Sequence, residues 1–421
     1  MRPALALLCL WLAAAGPALQ AQQLTPQGRE RITAFMQAAT GERGHLGAVT
    51  LVAGPDKLLD LQAFGWRDLQ RRVPMTPDSI FRIYSMSKSV AAVATLMLAA
   101  QGRLTLDDPL AKHLPEFAQM QVFAGGSAAA PVLRPARRPI TLRQLLTHTA
   151  GFATGGVGIE EASQLLERAE PQRAADLKDF AERVARQPLA SDPGARYRYD
   201  GVPYEVLGRV IEVASGMPLH VFVQQRIFRP LKMHDTGFSV PLAQRRRVVD
   251  ITTLDQARRL VRAAGPSAIA PGARLRPYDS LAGGLYSTAA DYMRFCQMLL
   301  NAGTLDGVAL LTPAAVNVML SNQLVQSEPP PGLPATQSRP GEGMGLGGWV
   351  ILDHPQRRRP GAVGSFGWLG AASTYFMIDR ERQLVAMLLL QHLPPQSGAD
   401  LPKLNTAFFD HVYQALALPV R

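Results

Sequence analysis

From Val90 to Ala100 the chain reads Val-Ala-Ala-Val-Ala-Thr-Leu-Met-Leu-Ala-Ala, a helix-length stretch that is apolar nearly all round and stops at Gly102. A helix with no polar face cannot lie on a surface and has to be enclosed by other elements. The fold must therefore be layered around it, and a chain of 421 residues with 47% apolar and 18% charged content is long and apolar enough to build such a core. Only the first turn, Ser85-Met86-Ser87-Lys88-Ser89, carries polar groups. A spacing of three places Ser85 and Lys88 on one side of the helix, within reach of each other. A partly desolvated ammonium beside a hydroxyl can help to remove its proton, and the amide groups at a helix start can hold an anion. The same residues would also serve as a helix cap followed by a surface lysine, and the spacing alone does not separate these readings.

Both ends of the chain carry strand patterns. Pro26 to Ala39 reads as an amphipathic helix with Ile32, Phe35 and Met36 on one side, and it leads into a hairpin of Ala48–Ala53, the turn Gly54-Pro55-Asp56-Lys57, and Leu58–Phe64. Thr374–Ile378, the polar turn Asp379–Arg382 and Leu384–Leu390 make a second hairpin, followed by a helical pattern from Leu404 to Leu416. Strands with a flanking helix at both ends imply one antiparallel sheet assembled from the two termini. Between them helical periodicity dominates, at Leu142–Leu146, Gly158–Ala169, Ala174–Gln187, Tyr204–Ala214 and Leu219–Phe228. The expected architecture is α+β: a sheet lobe of about residues 22–103 and 264–421, a helical lobe of about residues 104–263 inserted into it, and a site in the cleft between them. Gly125–Arg138 and Ser327–Gly348 read as loops or insertions, and there is no convincing internal repeat.

Met1-Arg2-Pro3, the apolar stretch Ala4–Gly16 and the small residue Ala21 have the layout of a secretory signal. Residues 1–21 are therefore expected to be removed, leaving an exported chain, periplasmic or secreted, that begins near Gln22. The apolar run is short for a bilayer span, and an uncleaved anchor is the competing reading because Leu19 suits the cut poorly. Cys9 lies inside that run, so after removal Cys296 has no intramolecular partner and is expected to be a buried thiol in a helix. The net charge of +11 invites a nucleic-acid reading, yet the basic residues are scattered or confined to short runs such as Arg245–Arg247 and Arg357–Arg359. With no zinc spacing, helix-turn-helix signature or aromatic and basic interleaving, no nucleic-acid partner is expected, nor a stable membrane span in the mature chain. No His/Asp/Glu cluster has metal spacing, and Gly341-x-Gly343-x-Gly345 lacks the preceding strand of a phosphate loop. The chemistry is accordingly expected to need no metal and no cofactor.

Further motifs change the weight of Ser85 and Lys88. Ser85-Met86-Ser87-Lys88 and Ile140-Thr141-Leu142-Arg143-Gln144-Leu145-Leu146-Thr147-His148-Thr149-Ala150-Gly151-Phe152, followed in order by Tyr197-Arg198-Tyr199-Asp200-Gly201, Gly283-Gly284-Leu285-Tyr286-Ser287 and Gly367-Trp368-Leu369-Gly370-Ala371, together resemble the class C β-lactamase-related serine hydrolases. That group includes penicillin-binding DD-peptidases and family VIII carboxylesterases, and the resemblance extends over essentially the whole mature chain. It implies a β-lactamase/transpeptidase-like fold, an antiparallel sheet flanked by N- and C-terminal helices with an inserted helical lobe. It also implies that Ser85 is the acylated nucleophile and that Tyr199, heading the second motif, is the general base, assisted by Lys88. The backbone amides of Ser85 and Ala371 would form the oxyanion hole, Gly370 would let the substrate approach closely, and the turn containing His148 would be structural.

The chain departs from the family pattern where substrates are chosen. Asp200-Gly201 replaces the usual Ser-Asn pair, removing an amide that typically holds an acylamide side chain in β-lactamases and peptidases. Trp368-Leu369-Gly370 replaces Lys-Thr-Gly, removing the cation that would pair with a substrate carboxylate, a charge-assisted bond of roughly 1–3 kcal/mol. Trp368 would contribute to substrate binding, and Leu369 would narrow the cleft. The departures point to a carboxylesterase acting on small-molecule esters of uncharged acyl groups. A β-lactamase, DD-peptidase or D-amino-acid amidase is the enzymatic alternative, and a non-catalytic envelope-binding protein that kept the fold is the alternative from another class.

Overall fold

The computed structural model describes residues 23–41, 44–153, 160–324, 341–353 and 360–417. The expected signal at residues 1–21 and the basic run Arg357–Arg359 lie outside them. Helix α1 (Pro26–Ala39) starts where Thr25 caps the Gly28 amide at 3.1 Å and Pro26 supplies a pre-set first turn. Its buried residues Ile32 and Met36 face the core. The chain then forms the expected hairpin, β1 (Gly47–Ala53) and β2 (Leu58–Gly65), joined through the turn at Gly54.

These strands are the far side of a seven-stranded antiparallel sheet whose other members come from the C-terminal part of the chain. They are β3 (Glu342–Met344), β4 (Trp349–Ile351), β5 (Phe366–Gly370), β6 (Thr374–Asp379) and β7 (Leu384–Leu389), and the order across the sheet is β3-β4-β5-β6-β7-β1-β2. The register Val49↔Leu389 and Ala53↔Val385 joins the two ends of the chain. Strands β1, β6 and β7 are buried at every position, so both faces of the sheet are covered and the sequence there is continuously apolar. Helices α1 and the C-terminal α5 (Asn405–Ala415) pack together and on β2 and β7, while α4 (Ala289–Leu300) lies on β1, β6 and β7 with Tyr292 against Phe376. Cys296 is a fully buried thiol on α4.

The apolar stretch forms α2 (Ser87–Ala100), with every residue from Ser87 to Leu98 buried. It packs against α3 (Val202–Ser215), the longest helix of the helix-rich part of the chain. The helices at Leu142–Leu146, Glu160–Arg168, Leu177–Ala185 and Leu219–Val223 stand where periodicity places them. No single helix among the described residues is long and apolar enough to cross a membrane.

The fold differs from the sequence reading in three places. The Ser85 segment is a 3₁₀ turn, Tyr84–Met86, and the α-helix begins only at Ser87. Gln121–Gly126 and Pro131–Pro135 pair as a two-stranded ribbon, so Gly125–Arg138 is more than a loop; its outward-facing side chains are mostly exposed, which leaves no apolar alternation to read. Within 327–348, Glu342–Met344 is an edge strand of the main sheet, and the glycines after it form a strap over α2, where Ser89 Oγ donates to the Gly347 carbonyl at 2.8 Å. Glycine fits there because a Cβ at Gly347 would sit 2.9 Å from the Lys88 carbonyl, and its φ is +82°.

Candidate active site

Segments distant in sequence meet at the first turn of α2. Tyr84 holds φ +43°, a left-handed conformation that a bulky residue seldom adopts, and it turns the chain from the strand Phe81–Arg82 into the 3₁₀ turn. The Tyr84 side chain anchors this kink by donating to the Ser267 carbonyl at 2.6 Å and by packing against Ala372. Ser85 follows at the exit of the kink, and Ser87 Oγ accepts from the Leu285 amide to tie the turn to the Gly283-Gly284 segment. That segment is the fourth of the ordered motifs.

Lys88 donates to Ser85 Oγ at 3.0 Å and to the Ala282 carbonyl at 2.6 Å. It is 2% exposed, and its ammonium lies over the rings of Tyr199 at 5.1 Å and Tyr204 at 5.5 Å. Among the described residues no carboxylate comes within ion-pair distance of it. Tyr199 donates to the same Ser85 Oγ at 2.6 Å. The lysine and the tyrosine named from the sequence thus converge on one oxygen, which is the arrangement that proton removal from a serine requires. A surface lysine next to a helix cap, the competing reading of the spacing, does not describe a side chain enclosed in this way.

His148 stands behind Tyr199 rather than before Ser85. The capping box of Thr141 and Gln144 starts the short helix Leu142–Leu146, and the chain leaves it with His148 at φ +57°. The His148 carbonyl accepts the Arg198 amide at 2.8 Å, its Nδ1 accepts the Asp200 amide at 3.3 Å, and its ring is 4.7 Å from that of Tyr199. Burial, with the nearby Lys88 charge adding to it, holds the imidazole well below its ordinary pKa, so the ring is neutral and acts as a brace for residues 198–200. The sequence motif marked the turn but carried no sign of its contact with Tyr199.

Asp200 holds the entry to α3, its Oδ1 accepting the Val202 amide at 2.9 Å. A Cβ at Gly201 would meet only Ala282, at 3.6 Å, so packing does not require glycine there. The missing side chain leaves room beside the Lys88 anchor.

Strand β5 closes the site from the sheet side. Trp368 reaches Tyr199 with 5.4 Å between ring centres. Gly370 lies against the Ser85 turn, since a Cβ there would be 2.5 Å from the Ile83 carbonyl and 2.2 Å from Thr374 Oγ1. Leu369, next along β5, is half-buried and by strand alternation lies on the other face from Trp368, the bulky group of β5 that meets Tyr199. After Gly370 a tight turn, closed by the Ser373 amide on the Gly370 carbonyl at 3.1 Å, exposes Ala371 next to the Ser85 turn. Ala371, expected with Ser85 to donate a backbone N–H to an oxyanion, thus follows directly on the glycine that lies against Ile83. No group of His, Cys, Asp or Glu that could hold a metal ion occurs among the described residues.

Comparison with known proteins finds similarity over most of the chain. A family model described as Beta-lactamase matches residues 29–407. Protein Rv1367c of Mycobacterium tuberculosis is 34% identical over 388 residues, which cover 88% of this chain and 95% of that protein. Esterase EstB of Burkholderia gladioli is 30% identical over 380 residues, covering 85% of this chain and 89% of the esterase. The solved structure of EstCE1, a hydrolase with promiscuous acyltransferase activity, superposes with a TM-score of 0.74 at 24% identity over 92% of this chain and 98% of its own, a similarity of fold.

Proposed function

Because the chain belongs to the β-lactamase family of serine hydrolases and has its β-lactamase/transpeptidase-like fold, we propose that it is a carboxylesterase that forms an acyl-enzyme on Ser85. One observation carries the reading: Lys88 Nζ and the Tyr199 hydroxyl meet at Ser85 Oγ, at 3.0 and 2.6 Å. Deprotonated, Tyr199 becomes the acceptor in that contact and takes the Ser85 proton as Oγ bonds to the ester carbonyl carbon. The carbonyl π pair moves onto oxygen, which the Ser85 and Ala371 amides hold. Collapse breaks the carbon–alkoxide bond, and the leaving alkoxide takes the proton from Tyr199. Water then repeats the sequence on the acyl-enzyme, giving up its proton to Tyr199 and releasing the acid with Ser85 restored. The Lys88 ammonium stabilises the phenolate throughout, and its burial makes that attraction stronger than it would be in water.

The choice of an ester is supported by what lines the site. Trp368 stands where β-lactamases carry a lysine, and its ring with that of Tyr199 forms an apolar wall in place of a carboxylate-binding cation. Asp200 is engaged at the start of α3, and Gly201 offers no amide to an acylamide group. The similarity to Esterase EstB adds weight to the same reading. Assay the protein with short p-nitrophenyl esters, with nitrocefin and D-Ala-D-Ala peptides alongside. The expected result is ester turnover that Ser85→Ala abolishes; equal turnover by the two proteins, or an amide cleaved with higher kcat/KM than the esters, would reverse the proposal.

A further inference from the structure

One buried ionisable group near the site has no part in the steps above. Glu205 lies in the first turn of α3, 6% exposed, where a carboxylate would ordinarily sit in water at the helix start. Its Oε1 accepts from Ser280 Oγ at 2.6 Å, while Oε2 makes no hydrogen bond of normal geometry among the described residues. A half-satisfied carboxyl in the core is costly and calls for a reason.

Ser280 begins the segment that Lys88 grips from the other side. Ser280 Oγ accepts the Gly283 amide at 3.3 Å, the Ser280 carbonyl accepts the Gly284 amide at 2.8 Å, and the Ala282 carbonyl receives Lys88 at 2.6 Å. Residues 280–284 are thus a tight loop clamped between a buried carboxyl and the buried ammonium. We propose that Glu205 is the positioning residue for Lys88: it fixes the loop that holds the lysine, and its carboxylate sets a negative charge across that loop from the reacting Tyr199 and Lys88.

The other charges around the pair allow this assignment. Lys88 on α2 and Arg276 in the preceding loop both favour the ionised form of Glu205, as does the Ala282 backbone, and the buried Tyr278 phenol lies close by. Around Lys88 stand Tyr199, Tyr204 and the neutral His148, with Asp200 turned to the Val202 amide. Burial pushes the Glu205 carboxyl up to about 7, so its charge is present on the alkaline side of neutrality, where a tyrosine base would work.

The proposal rests on Lys88 activating Ser85, and the test separates the two claims. Measure the pH profile of p-nitrophenyl ester hydrolysis for the wild type and for Glu205→Gln, Glu205→Asp and Lys88→Ala. The active form of the Tyr199–Lys88 pair has one proton fewer than the inactive form, and a nearby negative charge opposes that loss. Glu205→Gln should therefore move the alkaline rise to lower pH by roughly half to one unit, and lower the limiting kcat several-fold as the loop that holds Lys88 loosens. Glu205→Asp keeps the charge and should leave the rise within about 0.2 pH unit of the wild type even if kcat falls. A purely structural role would scale the rate equally at all pH; an unmoved rise in Glu205→Gln overturns the proposal. Should that variant fail to fold, Glu205→Met removes the same charge and carries the same prediction. If Lys88→Ala retains wild-type kcat, it is the mechanism of Ser85 activation that fails.

Discussion

Glutamine at position 205 should make the protein more stable, by an amount that grows from about pH 4.5 and is complete above about 7. Burial raises the Glu205 carboxyl from 4.5 to about 7 in the folded state. Between those values the folded protein keeps a proton that the unfolded chain has released, so stability falls as pH rises through the window, and the loss is complete above about 7. A displacement of that size corresponds to about 3 kcal/mol, undiminished by solvent because the side chain is enclosed. Glutamine can still accept from Ser280 Oγ and has no charge to lose, so the variant escapes the penalty. Urea unfolding followed by tryptophan fluorescence at pH 5 and pH 8 measures it. The variant should gain about 2–3 kcal/mol on the wild type between the two pH values, at unchanged m. A stability gap that stays flat from pH 5 to pH 8 would refute the reasoning, since it would mean that the carboxyl titrates as an ordinary solvated one.

Tyr199→Phe and Lys88→Ala should each lower kcat by about 10² to 10⁴, and the double variant should be little worse than either, as steady-state assays of the folded proteins will show. Gly370→Ala would put a Cβ 2.5 Å from the Ile83 carbonyl, so β5 and the Ser85 turn must part; a loss of about 1–3 kcal/mol in denaturation and a fall in kcat larger than any change in KM are expected. Burial lowers His45 from 6.5 to about 4, which means that its stabilising contribution is lost as pH falls through that range, by up to about 3 kcal/mol. Thermal melts from pH 7 to pH 4 should show this slope in the wild type and a shallower one in His45→Gln, which keeps a donor for the Pro402 carbonyl.

What the sequence disclosed and what it concealed follow from the physics of each element. In the two terminal hairpins β1, β6 and β7 were legible because, buried on both faces, they are continuous apolar runs bounded by polar turns. The apolar α2 announced its own burial, and the burial made Lys88 conspicuous. The ribbon at Gln121–Pro135 is mostly exposed, and β3 is a short edge strand with glycine at its centre, so neither offers the alternation that marks a strand. Within the site, Ser85, Lys88, Tyr199 and Trp368 could be named from motifs, and the structure brings them together. Glu205 could not be found this way, because an acidic residue in the first turn of a helix is what the helix dipole favours anyway. Its burial comes from the loop at residues 280–284, far away in the chain. The same holds for His148, whose brace on residues 198–200 depends on a left-handed turn that no side-chain pattern encodes.

The central claim is that Ser85 carries the acyl group, and covalent labelling tests it most directly. Treat the folded protein with a fluorophosphonate probe and locate the adduct by mass spectrometry of its peptides. The account predicts a single adduct on the peptide containing Ser85, lost in Ser85→Ala and formed much more slowly in Lys88→Ala and Tyr199→Phe. Folded protein that stays unlabelled at Ser85, or is labelled as fast without Lys88 and Tyr199, would contradict it and favour a binding protein that has kept the fold.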